Sequence, residues 1–151
     1  MLRPILALLA LASAPAMAAD VQVLDCDWQA SARNIVEPWE ANTRSFSNGK
    51  TRIAALDTIE PAAGWAYVLV LSPPYDELGS RQCKVIGMNG MGFAGMDFSQ
   101  LRSSYDPASG LSFLLPVAEY DFNQGIGVPR VLWFQLNQAT GEIRTQIRFA
   151  E

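Results

Sequence analysis

The sequence predicts an all-β domain, a single antiparallel meander of about eight or nine strands. Short apolar or alternating segments follow one another, with turn-forming residues roughly every ten positions. No regular alternation of strands with long amphipathic helices is visible, so a parallel α/β sheet is not expected. Short turns favour a barrel-like meander, with a sandwich as the alternative, and at most a short helix is expected near 30–42.

The apolar run 65–71 predicts a central strand buried on both faces. It contains valines and aromatic residues, carries no charge, and is too short for a typical helix. We expect this strand to end at Ser72-Pro73-Pro74, because proline lacks the amide hydrogen that a sheet ladder needs. Segment 82–86 then predicts a neighbouring strand, and the alternating segment 21–28 predicts the first strand.

Three pairs of segments predict hairpins. The segments 43–47 and 50–57 flank Asn48-Gly49, and this dipeptide favours the positive φ angles of a type I′ turn. The segments 98–105 and 111–120 are separated by a turn that contains Pro107 and Gly110, and 131–137 and 142–149 by a turn that ends at Gly141. Between the central strands and the second hairpin, the glycine-rich segment 87–95 is expected to be a loop or a strongly bulged connection.

The first nineteen residues have the pattern of a secretory signal peptide. Arg3 precedes an apolar segment, and small residues follow up to Ala18 and Ala19, where cleavage is expected. The apolar segment is shorter than the roughly 20 residues that span a bilayer, so no permanent membrane span is expected. The predicted organisation is a signal peptide over 1–19 and one domain over 20–151, exported to the periplasm or secreted.

The two cysteines of this exported chain predict one disulfide bond, between Cys26 and Cys83. Exported proteins meet an oxidising environment in which paired cysteines usually form disulfides. The bond would attach the first strand to the central sheet.

Composition excludes several classes of function. Removal of residues 1–19 takes away one arginine and leaves ten basic against fifteen acidic residues, so nucleic acid is not an expected partner. The chain contains no histidine, which excludes Ser-His-Asp and Cys-His catalysis and imidazole-ligated metal sites. No glycine-rich phosphate-binding motif is present, and no cofactor is expected.

Two candidate sites remain for chemistry. Glu119 and Asp121 are predicted to share one face of a strand, where a buried carboxylate pair would have separated pKa values and serve a hydrolase. Met88, Met91 and Met96 lie in or beside the glycine-rich segment, and their thioethers are suitable ligands for Cu(I). The simpler interpretations are that the carboxylates face solvent and that the methionines fill gaps in the core.

Trp133 and Gln135 form a candidate binding surface. In segment 131–136, Leu132, Phe134 and Leu136 are expected to face the core, so Trp133 and Gln135 would point away from it. An outward tryptophan on a sheet is a plausible anchor for a partner, unless a second layer covers that face.

Several phrases of the sequence resemble a group of small exported proteins from alphaproteobacteria that carry no assigned activity. The phrases are RNIVEPWEANTR, LDTIEPAAGWAYVLVLSPPYDE, GSRQC, YDPASGL and LNQATGEI. The resemblance implies an exported single domain and implies no mechanism. We therefore predict a non-catalytic domain, a monomer or small homo-oligomer, that binds a protein, an envelope component or a small apolar ligand. The alternatives are the carboxylate-dependent hydrolase and the Cu(I)-binding protein.

Overall fold

The computed structural model describes residues 20–150 as two five-stranded antiparallel sheets that do not close into a barrel. The strands are β1 (Val21–Asp25), β2 (Thr43–Phe46), β3 (Thr51–Asp57), β4 (Ala66–Tyr75), β5 (Arg81–Met88), β6 (Gly95–Met96), β7 (Arg102–Asp106), β8 (Gly110–Asp121), β9 (Ile126–Leu136) and β10 (Ile143–Phe149). The helices of this part of the chain are three-residue 3₁₀ turns at Trp28–Ala30, Ala32–Asn34 and Phe98–Gln100. The all-β prediction is confirmed.

Sheet A has the strand order β1-β5-β4-β3-β2, and sheet B has the order β10-β9-β8 with β6 and β7 both paired to β8. In sheet A, β4 is central and pairs with β3 and β5, as its continuous apolar run predicts. In sheet B, the long strands β8 and β9 pair along their whole length, from Leu111 opposite Leu136 to Asp121 opposite Ile126. The three predicted hairpins, β2–β3, β7–β8 and β9–β10, are all present.

The main core lies between the two sheets. Alternate residues of β3, β4 and β5 meet alternate residues of β8 and β9, and these side chains are nearly inaccessible to solvent. Phe113 of β8 stacks on Phe134 of β9 with ring centroids 4.6 Å apart, and Phe46 of β2 packs edge-on against Phe113. The space between the sheets is therefore occupied by side chains.

A second, smaller core lies on the outer face of sheet A. Leu56, Tyr67, Leu69 and Val85 point away from the main core, yet each is buried beneath segment 26–42. This segment, which we call the cover, is neither a regular helix nor a strand. It crosses the sheet as two 3₁₀ turns followed by a single bridge between Ile35 and Leu56.

The predicted disulfide between Cys26 and Cys83 is present, with a Cα–Cα distance of 5.3 Å. The predicted first strand over 21–28 ends early, at Asp25, because the chain turns into the 3₁₀ turn Trp28–Ala30. The disulfide therefore joins the start of the cover, and not the first strand, to β5, and both cysteines pack against the second core. The backbone amide of Cys26 also donates to the carbonyl of Cys83 at 3.2 Å.

Four further expectations are corrected. The preference for a barrel is wrong, because two separate sheets form. The strand β4 does not end at Ser72 but runs to Tyr75, because the ladder tolerates Pro73 and Pro74 through a shift of register between Ser72 and Tyr75. Residues 98–100 form a 3₁₀ turn, which Asp97 begins by accepting a hydrogen bond from the amide of Ser99, so β7 starts at Arg102.

The fourth correction concerns β9, which begins at Ile126 rather than near Val131 and makes a fourth hairpin with β8. The sequence did not predict the first part of this strand, because Gly125, Gly127 and Pro129 are residue types that disfavour a strand. With it and the two-residue β6, the described chain has ten strands rather than eight or nine.

None of the helices within residues 20–150 is long and apolar enough to cross a membrane. The predicted signal peptide and its cleavage site lie outside the described residues.

Candidate functional site: the outer face of sheet B

The outer face of sheet B presents alternate residues of four adjacent strands, and we call it the Trp133 face. Strand register places these residues in three rows, in the order β10, β9, β8 and, where it is present, β7. The rows are Arg148, Val131 and Pro116; Gln146, Trp133, Leu114 and Arg102; and Arg144, Gln135, Ser112 and Ser104.

The centre of the Trp133 face is apolar and its edges are basic. Leu114 is 37 % exposed, and Trp133 beside it is partly exposed. Arg102 on β7 lies at one edge, and Arg148 on β10 lies at the other. An apolar centre with tryptophan, bordered by arginine, matches the composition of protein-binding surfaces.

A shallow groove of about 470 Å³ runs over this face. It lies between the two edge arginines and has Leu114, Pro116 and Val131 along it. No carboxylate is among the described residues that line the groove. In a chain with a net charge of −4, this is a local excess of positive charge.

Two arginines of β10, Arg148 and Arg144, differ in how they are held. Arg148 donates from Nε and Nη2 to the side-chain oxygen of Gln146, and its guanidinium lies 5.9 Å from the centroid of the Trp133 ring. This places the cation over the indole face. Arg144, by contrast, is paired with Glu142 at 2.9 Å, and this partner raises the pKa of the guanidinium and lowers the pKa of the Glu142 carboxyl.

The sequence placed Trp133 and Gln135 on the side opposite Leu132, Phe134 and Leu136, and that alternation is confirmed. The amide of Gln135 donates to the hydroxyl of Ser112 on β8 at 3.0 Å, which fixes both polar groups in the sheet surface. No described segment crosses the centre of this face as the cover crosses sheet A. The binding role of the two residues stays a prediction.

Glu119 and Asp121 share one face of β8, as predicted, and both line a cleft of about 610 Å³ at the end of the sandwich that carries the β8–β9 turn. Their carboxylates, however, are engaged separately. Glu119 pairs with Nε of Arg130 at 3.0 Å, with side-chain exposures of 20 % and 18 %.

Asp121 accepts hydrogen bonds from the backbone amides of Asn123 and Gln124 in the β8–β9 turn, at 2.8 and 3.2 Å. These bonds lower the pKa of its carboxyl, whereas a general acid needs a raised pKa. Both groups hold the hairpin in shape, and the hydrolase alternative stays a prediction with no geometric argument in its favour.

The glycine-rich segment is held by close packing. Met88 is 2 % exposed in the main core, and Met96 packs against the same core. A Cβ atom at Gly87 or Gly92 would overlap backbone oxygen atoms and press on the ring of Tyr67, so the chain here needs glycine. Gly92 therefore allows a close approach of the backbone to β4, and Gly87 allows the backbone of Met91 to approach β5. Met88 and Met96 fill space in and beside the core, and Cu(I) binding stays a prediction.

Sequence reasoning did not find Leu114, Arg102 and Arg148 as members of the surface. The alternation of residues 143–149, which form β10, did predict a solvent-exposed face that carries Arg144 and Arg148. However, the groove needs β7, β8, β9 and β10 side by side, and the pairing of β8 with β9 was not expected. Once that pairing is known, the register identifies every residue of the face.

The fold and this site define a class: a disulfide-bonded, two-sheet β-sandwich with one covered outer face and one open, arginine-bordered outer face. Comparison with protein-family models, with curated proteins and with solved structures finds no match to the chain. The resemblance to small exported proteins of alphaproteobacteria stays a prediction.

Proposed function

We propose that the protein is an exported, non-catalytic binding domain that docks a polypeptide partner on the Trp133 face. The observation that carries the proposal is the partly exposed Trp133, which lies beside Leu114 at the apolar centre of a sheet face bordered by Arg102 and Arg148. Tryptophan and arginine supply a disproportionate share of the binding energy at protein interfaces.

Two features favour a polypeptide over a small apolar ligand. Side chains such as Leu115, Leu132 and Phe134 fill the space between the sheets and are inaccessible to solvent, whereas a carrier of small apolar molecules needs an enclosed apolar cavity. The Trp133 face is instead broad and shallow, a shape suited to the side chains of a second protein.

The positive charge of the two edge arginines indicates which kind of partner would bind. Arg102 and Arg148 border the groove without an ion pair within residues 20–150. A partner segment with apolar side chains between carboxylates would place those carboxylates against both arginines. Such pairs set orientation and accelerate association more than they add affinity.

Export is part of the proposal. The signal-peptide pattern of residues 1–19 supports it, and the disulfide between Cys26 and Cys83 is compatible with an oxidising compartment outside the cytoplasm. The partner is then expected among periplasmic, envelope or secreted proteins.

The test begins with a photo-crosslinking residue in place of Trp133, in cells that export the protein, with the same residue in place of the 92 % exposed Leu78 as the matched control. We expect adducts at position 133 that are absent at position 78. The captured protein is then purified, and its affinity is measured by calorimetry for the wild type, Trp133→Ala and Phe122→Ala.

Trp133→Ala is expected to weaken binding by about thirtyfold or more, because a hot-spot truncation costs about 2 kcal/mol. Phe122→Ala removes an aromatic side chain that is 67 % exposed at the β8–β9 turn, and should leave the affinity unchanged. Equal adducts at positions 133 and 78, or equal affinities for Trp133→Ala and wild type, would refute the proposal.

A further inference from the structure

A second cleft lies at one end of the sandwich, where the turns of both sheets meet. The β2–β3, β7–β8 and β9–β10 turns and the end of β4 together line an open cleft of about 540 Å³, which we call the turn cleft. This volume is within the roughly 300–1,000 Å³ range of small-molecule sites. Loops held at one end of a rigid sandwich are a common location for binding sites.

Two exposed tyrosines line the turn cleft from different sheets. Tyr75, at the end of β4 in sheet A, is 49 % exposed, and Tyr105, near the end of β7 in sheet B, is 64 % exposed. Because about half or more of each side chain is exposed, apolar ring surface is available for stacking. Tyrosine offers a rigid, amphipathic surface at low cost in conformational entropy.

Two polar side chains that line the turn cleft, those of Ser47 and Gln138, are held in place by hydrogen bonds. The side-chain amide of Gln138 donates to the hydroxyl oxygens of Ser47 and Thr51 at 2.9 and 2.8 Å, which joins the β9–β10 turn of sheet B to sheet A. Thr51 is inaccessible to solvent. These bonds fix the distance between the two sides of the cleft before any ligand arrives.

Other polar groups border the cleft. Asn137 uses its side-chain oxygen to accept from the amides of Ala139 and Thr140, an arrangement that holds the side chain in one orientation. Lys50 lines the cleft without an ion pair in the described part of the chain, and no described lining residue is a carboxylate.

We propose that the turn cleft binds a short segment of an oligosaccharide, with sugar rings stacked on Tyr75 and Tyr105. A sugar ring has an apolar face of C–H groups that suits an exposed aromatic ring, and a rim of hydroxyls that suits amide and ammonium groups. A purely apolar ligand would leave the ammonium group of Lys50 without a partner. This site is separate from the Trp133 face and does not depend on the function proposed for it.

The probes are three soluble hexasaccharides: chitohexaose, cellohexaose and hexagalacturonate, each titrated at millimolar concentration into the ¹⁵N-labelled protein. For at least one of them, we expect amide shifts confined to the turns that line the cleft, around residues 47–50, 75, 105–110 and 137–139. Binding of hexagalacturonate alone, lost in Lys50→Gln, assigns an acidic sugar; binding of a neutral probe that Lys50→Gln leaves intact assigns a neutral one.

Variants separate stacking from other contacts. Tyr75→Ala and Tyr105→Ala are each expected to weaken binding by about three- to tenfold, because an aromatic contact contributes about 0.5–1.5 kcal/mol. Tyr105→Phe should keep most of the affinity, and Phe122→Ala, at the opposite end of the sandwich, should keep all of it. Both tyrosines are exposed, so thermal unfolding should stay within a few degrees of wild type and show that each variant is folded.

Three results would overturn the proposal. The first is the absence of shifts with all three hexasaccharides. The second is shifts centred on the Trp133 face instead of the turn cleft. The third is an affinity that both tyrosine-to-alanine variants leave unchanged.

Discussion

The two outer faces of the sandwich differ in what lies against them. On sheet A, the outward residues Leu56, Leu69 and Val85 are as apolar as the residues of the main core, and the cover buries them. On sheet B, the outward residues mix Trp133 and Leu114 with serine, glutamine and arginine, and no described segment covers them. One face is therefore covered by the chain itself, and no described segment covers the other.

The physical reason for this difference is the composition of each face. An all-apolar sheet face in water would be an aggregation surface, so its burial under the cover contributes to stability. A mixed face can stay hydrated, because its polar and charged groups keep water contacts around an apolar centre of moderate size. The contrast predicts that changes to the outer face of sheet A will affect folding and that changes to the outer face of sheet B will affect the proposed binding.

The largest expected effect comes from releasing the cover. The double change Cys26→Ala and Cys83→Ala opens a loop with a sequence separation of 57 residues, which should cost about 4 kcal/mol in the free energy of unfolding. Urea unfolding measures the loss, and hydrogen exchange should show the greatest loss of protection in residues 26–42. A variant with unchanged stability would mean that packing alone holds the cover.

The next largest effect is a difference in stability between two leucine-to-alanine variants, one on each outer face. Leu69→Ala under the cover is expected to destabilise the fold by about 3 kcal/mol, because Leu69 is only 6 % exposed and the change leaves a cavity. Leu114→Ala on the Trp133 face removes the same atoms from a residue that is 37 % exposed, and should cost no more than about 0.5 kcal/mol. Equal losses in chemical denaturation would contradict the distinction between a covered and an open face.

The smallest expected effect is a pH dependence of opposite sign on the two faces. Burial under the cover raises the pKa of Tyr67 above its ordinary value of 10.0, so its contribution to stability is complete below about pH 10 and is lost as the pH rises through the folded-state pKa. The hydrogen bond and charge of Arg144 lower the pKa of Glu142 below 4.5, so that contribution is present above about pH 4.5 and is lost as the pH falls.

Urea unfolding across both pH ranges measures this difference, with Tyr67→Phe and Glu142→Gln as the variants. Tyr67→Phe should flatten only the alkaline decline in stability, and Glu142→Gln only the acid decline. Because the carboxyl of Glu142 is solvent-exposed, its effect should be the weaker and should shrink with added salt. If Tyr67→Phe changed the acid decline instead, or Glu142→Gln the alkaline decline, other titrating groups would dominate the pH dependence of stability.

Much of the fold follows from local patterns in the sequence. Positive-φ positions at Asn48 and Gly49 set one hairpin, the unbroken run 65–71 marks the central strand, and the alternation of 143–149 marks an edge strand with one wet face. These signals depend on residues close together in the chain, so they can be recognised without knowledge of the tertiary structure. The same holds for the pairing of the two cysteines, since only one intramolecular pair exists.

The candidate sites were only partly predictable. The direction of Trp133 follows from the period of a strand, but its neighbours Arg102 and Leu114 come from strands whose pairing is not encoded next to it in the sequence. The turn cleft shows the same limit more strongly, because Tyr75 and Tyr105 belong to different sheets.

The amino-acid sequence alone settled the strand-rich class, the disulfide pair and the absence of histidine chemistry, because each depends on composition or on residues close together in the chain. Only the tertiary structure decided that the sheets form a sandwich, that residues 26–42 cover one face, and that the other face stays open. Those outcomes depend on which distant strands pair and on which surfaces then need burial, a balance of long-range packing energies that no local pattern specifies.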